Sequence, residues 1–174
     1  MAITLPFNLD RWIAQHRAAL VPPVANRQVF PAGDFVIMVV GGPNARNDYH
    51  IDPGAEFFYQ LEGQLTLRTM QDGQRMDYEL GPGDVFLLPA WVPHSPQRAA
   101  GGIGLVVERA RRADEEDAFE WYCERCDRKL YGERFRLTNI ETQFPAIFAR
   151  FNDSLEHRTC RHCGHVTSRP DGHD

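Results

Sequence analysis

Two imidazoles and one carboxylate carry the first chemical signal in this chain of 174 residues: His50, Glu56 and His94. His50 and Glu56 share parity, so an extended path aims both at one face. Two histidines and one carboxylate on one side of a metal form the facial set of non-heme Fe(II) oxygenases, with the opposite positions open. Those open positions admit a two-toothed substrate together with O2. On spacing alone a second reading stands beside this one, in which a loop histidine and a strand glutamate are satisfied polar residues.

Sulfur supplies the second signal. Cys123-x2-Cys126 and Cys160-x2-Cys163, with 33 residues between the pairs, offer four thiolates that can meet tetrahedrally around Zn or Fe. Free thiols or disulfides are the alternative. Four sulfurs complete a tetrahedral shell, so the expected role is structural, closing a core-poor region, and His157, His162 and His165 are read as surface residues.

Composition narrows the classes. A net charge of −5 argues against a protein that binds nucleic acid or an anionic membrane, because neutralising phosphates needs a basic face. The N-terminus has neither a basic region nor an apolar stretch of signal-peptide length, and the longest apolar runs fall far short of the roughly 20 residues that span a bilayer, so a cytoplasmic location is expected.

The elements that must position these groups are mainly strands. The 14 glycines and 12 prolines punctuate short β-rich runs at 34–40, 56–61, 64–70, 75–80, 84–88 and 104–109. That spacing predicts an all-β-dominated antiparallel sandwich or barrel over residues 1–113. One N-terminal helix is expected from Asn8 to Leu20, with Asn8 as its cap. Residues 114–174 form a second region. It opens with the acidic run Asp114–Asp117, read as a solvated connector, and contains a short helix through Phe144, Ile147, Phe148 and Phe151 with Pro145 in its first turn. The tail from Thr167 is read as frayed, and 21–28 as a lid over the substrate.

The residues around both histidines resemble the two motif boxes of the cupin family. The first, G-x5-H-x-H-x3,4-E-x6-G, is met by His50, Glu56 and Gly63, with Asp52 in place of the second histidine; the second, G-x5-P-x-G-x2-H-x3-N, is met by Gly83, Pro89 and His94, with Trp91 for glycine and Arg98 for asparagine. Those departures, with Pro22–Gln28, Val40–Asn44, Asp48-Tyr49-His50, Glu56–Gln60, Val107-Glu108-Arg109, Phe119–Cys123 and both cysteine pairs, are similar to the bacterial 3-hydroxyanthranilate 3,4-dioxygenases among the cupins. The resemblance implies a double-stranded β-helix barrel, a catalytic Fe(II) on His50, Glu56 and His94, and a rubredoxin-like iron or zinc site on Cys123, Cys126, Cys160 and Cys163. It makes Arg46, Arg98 and Glu108 substrate contacts, Glu108 and Arg46 also serving catalysis, although a solvated loop arginine and a solvent-facing strand glutamate remain open for Arg46 and Glu108 on sequence alone. It further implies a homodimer, a small anionic aromatic substrate with O2, and opening of the ring to 2-amino-3-carboxymuconate semialdehyde, precursor of quinolinate. A cupin dioxygenase for another aminophenol or hydroxybenzoate, and a non-catalytic metal-binding cupin, are the rival readings.

Overall fold

The computed structural model describes residues 5–22, 25–30, 33–44, 46–138 and 140–170. Short β-rich runs separated by turns fold into antiparallel strands that lie in two sheets. The five-stranded sheet has the order β1 (Asn26–Gln28), β2 (Phe35–Gly41), β9 (Ile103–Arg109), β4 (Glu56–Glu62), β7 (Val85–Leu88). The six-stranded sheet has the order β11 (Lys129–Phe135), β10 (Asp117–Tyr122), β3 (Asp48–Ile51), β8 (His94–Arg98), β5 (Leu65–Gln71), β6 (Gln74–Leu80). Outside the hairpins β1–β2, β5–β6 and β10–β11 the chain crosses between the sheets, as at Gly63, whose φ of 65° lets it turn from β4 into β5. Phe58, Leu88 and Val106 of one sheet pack against Leu65, Leu67 and Leu80 of the other, giving the antiparallel β-barrel that the patterning predicts.

The six strands expected from β-rich runs between turn signals form within one residue of their expected ends. Strands β1, β3, β8 and β10 form where no strand was expected, while β11 fills part of the loop between the cysteine pairs, which is long enough to need strands. β8 reads His-Ser-Pro-Gln-Arg, without a β-branched residue, and β3 is four residues long; both gain strand geometry from their neighbours rather than from propensity.

Helix α1 (Leu9–His16) starts at Asn8, whose Oδ1 accepts from the Arg11 N–H at 2.8 Å, and its last expected turn is a separate 3-10 segment, Arg17–Ala19. Ile13 and Leu20 close over Val39 and Ile103 on the outside of the five-stranded sheet. Helix α2 (Ile140–Asn152) is longer than expected, so Pro145 falls in its interior instead of its first turn. Its Ile147 and Phe151 pack on Phe119, Trp121 and Phe135 of β10 and β11. Helix α3 (Leu155–Arg158) follows, capped by Ser154.

Three expectations are corrected. The acidic run is not wholly solvated: Asp117 is fully buried at the start of β10, and Glu115 pairs with Arg109 at 2.6 Å. The segment 21–28 is not all irregular, since Asn26–Gln28 pairs with β2, while Pro23 and Val24 lie outside the described residues. The tail does not fray at Thr167, which is buried with its N–H bonded to the Arg158 carbonyl at 3.0 Å; residues 171–174 lie outside the described residues.

Candidate active site

His50 and His94 stand directly opposite each other on β3 and β8 of the six-stranded sheet. Glu56 opens β4 in the other sheet, so the set assembles by the meeting of two sheets, not along one extended path. Glu56 Oε1 lies 3.0 Å from His94 Nε2 and 3.6 Å from His50 Nδ1. That oxygen is buried without a hydrogen bond. The other ring nitrogens are engaged: His94 Nδ1 contacts the Val92 carbonyl at 3.0 Å and His50 Nε2 contacts Asp117 Oδ2 at 2.7 Å. An orphaned carboxylate oxygen facing two ring nitrogens, whose partner nitrogens are held by acceptors, is a donor set that fits a divalent ion.

The trio lines a cavity of about 110 Å³ with Arg46, Arg98, Glu108, Arg111, Phe58, Val106 and Phe144 among its walls. One water needs ~10–15 Å³, so the space suits a small molecule. Arg98 is 5% exposed, and its Nε has no hydrogen-bond partner. Burial, aided by the charge of Arg46, lowers its pKa to about 10. Gly104 leaves room beside it, since a Cβ there would come within 3.0 Å of Gln60 Oε1 and 3.6 Å of Arg98 Nη2. Arg46 is instead engaged, with Nε on Asp48 Oδ1 at 3.2 Å and Nη2 on Asp48 Oδ2. Trp91, which stands where the second box has glycine, holds a left-handed backbone with a φ of 67°.

Glu108 points inward on β9, 5% exposed, so the solvent-facing alternative does not hold. Burial, a hydrogen bond with Asp52 and the charge of Glu56 raise its pKa to about 8 against the pull of Arg111. Glu56 goes the other way: burial would raise it, but His94 and His50 hold it well below the usual carboxylate range. His50 is disfavoured as a cation by burial, yet its bond to Asp117 and the nearby carboxylate of Glu56 lift it to about 9. The sequence reading missed Asp117 and Arg111, whose only signal is a basic cluster followed by an acidic run that also fits a solvated loop.

The four cysteines converge as their spacing predicts. Cys123 Sγ stands 3.6 Å from Cys163 Sγ, and Cys126 Sγ 3.6 Å from Cys160 Sγ. Sulfurs at about 2.3 Å from a tetrahedral centre stand about 3.8 Å apart, whereas a disulfide needs about 2.05 Å, so the set fits a metal. The Cys163 N–H leads the backbone donors that lower the Cys160 thiol to about 6 despite desolvation. His157 stacks on Tyr131 and His165 meets Glu124 at 3.3 Å; neither joins the sulfurs.

Known proteins match this chain over nearly all its length. The family model described as 3-hydroxyanthranilic acid dioxygenase matches residues 1–152. A 3-hydroxyanthranilate 3,4-dioxygenase of Xanthomonas campestris pv. campestris is 54% identical over 166 residues, 95% of this chain and 94% of the relative. One from Paraburkholderia phytofirmans is 51% identical over 162 residues, 92% of this chain and 93% of the relative. Among solved structures, a cupin-2 domain protein of Shewanella frigidimarina aligns with a TM-score of 0.49 at 16% identity, covering 60% of this chain and 94% of that one. With that match over residues 1–152 and these identities, the chain belongs to the 3-hydroxyanthranilic acid dioxygenase family.

Proposed function

We propose that the chain is an Fe(II)-dependent dioxygenase that opens the ring of 3-hydroxyanthranilate with O2, giving 2-amino-3-carboxymuconate semialdehyde. The observation that carries the substrate is the buried guanidinium of Arg98, its Nε without a hydrogen-bond partner, beside the His50–Glu56–His94 cluster in one small cavity. A planar guanidinium matches a ring carboxylate with two parallel hydrogen bonds. The neighbouring phenol and amine of the substrate then face the cluster.

When bound by His50, Glu56 and His94, Fe(II) supplies the redox chemistry that O2 needs. The protein's part is binding, orientation and proton handling. Arg98 grips the carboxylate, and Arg46, held by Asp48, adds positive charge on the same wall. Glu108, with its raised pKa, is suited to exchange a proton with the substrate hydroxyl or amine. Phe58, Val106 and Phe144 keep water from the ring. The four cysteines hold a structural iron or zinc.

The reducing cytoplasm suits four free thiols, and among the described residues no helix is long and apolar enough to cross a membrane. The partner is a second copy of the chain. On the outer face of the five-stranded sheet, Leu87, Phe57, Val107 and Ile37 form one row across four paired strands, with Phe35 and Val85 exposed beside it. An apolar row of that breadth is what an isologous interface covers.

The test is anaerobic Fe(II) loading followed by 3-hydroxyanthranilate and O2, with 2-aminophenol and 3-hydroxybenzoate in parallel. Appearance of the ring-opened chromophore with 3-hydroxyanthranilate far ahead of the others supports the reading. Faster turnover of another member of the panel overturns the substrate, and no turnover of any overturns the activity.

A further inference from the structure

Arg111 and Asp117 stand behind the proposed iron site and have no part in the function above. Arg111 is buried among three carboxylates, with Nη2 2.7 Å from Asp52 and 2.7 Å from Asp117 and Nη1 2.8 Å from Glu108. Its Nε also donates to Asp117 Oδ1 at 3.1 Å, so the Asp117 carboxylate is gripped by a two-pronged fork. Asp117 is 0% exposed, and its remaining contact is His50 Nε2 at 2.7 Å.

A neutral imidazole has one lone pair, and the hydrogen bond made by one ring nitrogen decides that the other presents it. An ionised carboxylate accepts and cannot donate. With an ion held by Glu56 and His94, Asp117 would therefore keep the proton on the far nitrogen of His50 and leave the near one, 3.6 Å from Glu56 Oε1, unprotonated as the third ligand. His94 receives the same treatment from a backbone carbonyl, that of Val92. For His50 the acceptor is a side chain, and side chains need holding. Arg111 does so while also occupying Asp52 and Glu108, the carboxylates that cluster with Glu56.

We infer that the Arg111–Asp117 pair is a positioning device for the metal centre: Asp117 fixes the tautomer and ring orientation of His50, and Arg111 fixes Asp117. This rests on the reading of His50 as a metal ligand. A carboxylate in this role typically carries a 10–100-fold effect on metal affinity.

The experiment uses full-length protein with Zn(II) on the cysteines and the His50–Glu56–His94 cluster stripped of metal, titrated with Mn(II) and followed by electron paramagnetic resonance. Mn(II) prefers nitrogen and oxygen donors to thiolates, so it reports the cluster alone. Asp117→Asn keeps the size but offers Arg111 and His50 only one acceptor oxygen between them, and should bind Mn(II) 10–100-fold more weakly. Arg111→Lys, which keeps charge without the fork, should fall between it and the parent. Excess Fe(II) should restore much of the turnover of Asp117→Asn. Parent-like Mn(II) affinity in Asp117→Asn alongside its loss in His50→Ala would overturn this inference alone. Parent-like affinity in His50→Ala would overturn the metal-ligand reading and this inference with it. A second readout needs no variant: with diamagnetic Zn(II) at the cluster, the parent should show a downfield ring N–H resonance from His50 protected from water, and a His50 ring without one would overturn the proposal.

Discussion

Glu56 and Glu108 lie directly across from each other on β4 and β9, both pointing into the barrel and both 5% exposed. Equal burial would lift both pKa values equally. Their partners separate them: two imidazoles hold Glu56 ionised, while Asp52 and Glu56 push Glu108 to about 8. Two carboxylates with opposed proton affinities are the basis for dividing metal binding from proton transfer.

The Glu108 shift has a stability consequence. An unfolded glutamate titrates near 4.3 and the folded one near 8, so the folded chain holds the extra proton between those values. Its contribution to stability is fully present below about pH 4.3 and is lost as pH rises through about 8. In protein stripped of metal at the cluster, Glu108→Gln should flatten the fall in melting temperature between pH 6 and 9. A parent and variant with parallel profiles would contradict the shift.

Replacing His50 or His94 by alanine leaves two protein ligands for the ion. Iron at that site and turnover should both fall to background while circular dichroism keeps the β-sheet signature. A fully active His94→Ala enzyme would remove the basis of the metal assignment.

Arg98→Ala should lower kcat/KM for 3-hydroxyanthranilate by roughly ten- to several-hundred-fold, from one to two charge-assisted bonds of about 1.5–3 kcal/mol each. Iron content should not change. 2-Aminophenol, which lacks the carboxylate, should be penalised far less, and Arg98→Lys should recover only part of the loss. Equal losses on both substrates would shift the carboxylate clamp to Arg46.

Cys160→Ser removes one of four thiolates at a site away from the cavity. Melting temperature or yield should drop, while turnover per folded, iron-loaded centre stays near that of the parent. Loss of turnover at unchanged stability would give the cysteine metal a functional role.

Leu87 is 65% exposed in the apolar row of the five-stranded sheet. Leu87→Glu should convert a dimer into a monomer in sedimentation velocity without unfolding it. A parent that sediments as a monomer would end the proposal for this face.

Legibility in the sequence followed the physics of each element. Residues 57–59 are aromatic and 65–68 alternate, on either side of the Glu62-Gly63 turn, so their strands could be read; β8, with Pro96 inside it, could not, although it carries His94 and Arg98. His50, Glu56 and His94 were marked by residue type and motif spacing. Arg111 and Asp117 were hidden because their burial comes from the pairing of β10 with β3, a long-range event that local composition does not encode. Charged residues in a run of charges look solvated until tertiary structure covers one of them.

Strand β10 has a further consequence for any attempt to shorten the chain. It starts at Asp117, pairs Phe119 with His50, and ends one residue before Cys123, so a single six-residue ribbon joins the histidine support to the sulfur cluster. A fragment ended at residue 113 would leave β3 with one hydrogen-bonding edge bare, four residues long and carrying His50. Such an edge is a template for pairing with other chains, so the fragment should aggregate instead of yielding a smaller enzyme. Grafting the N-terminal barrel onto another scaffold would have to bring this ribbon along.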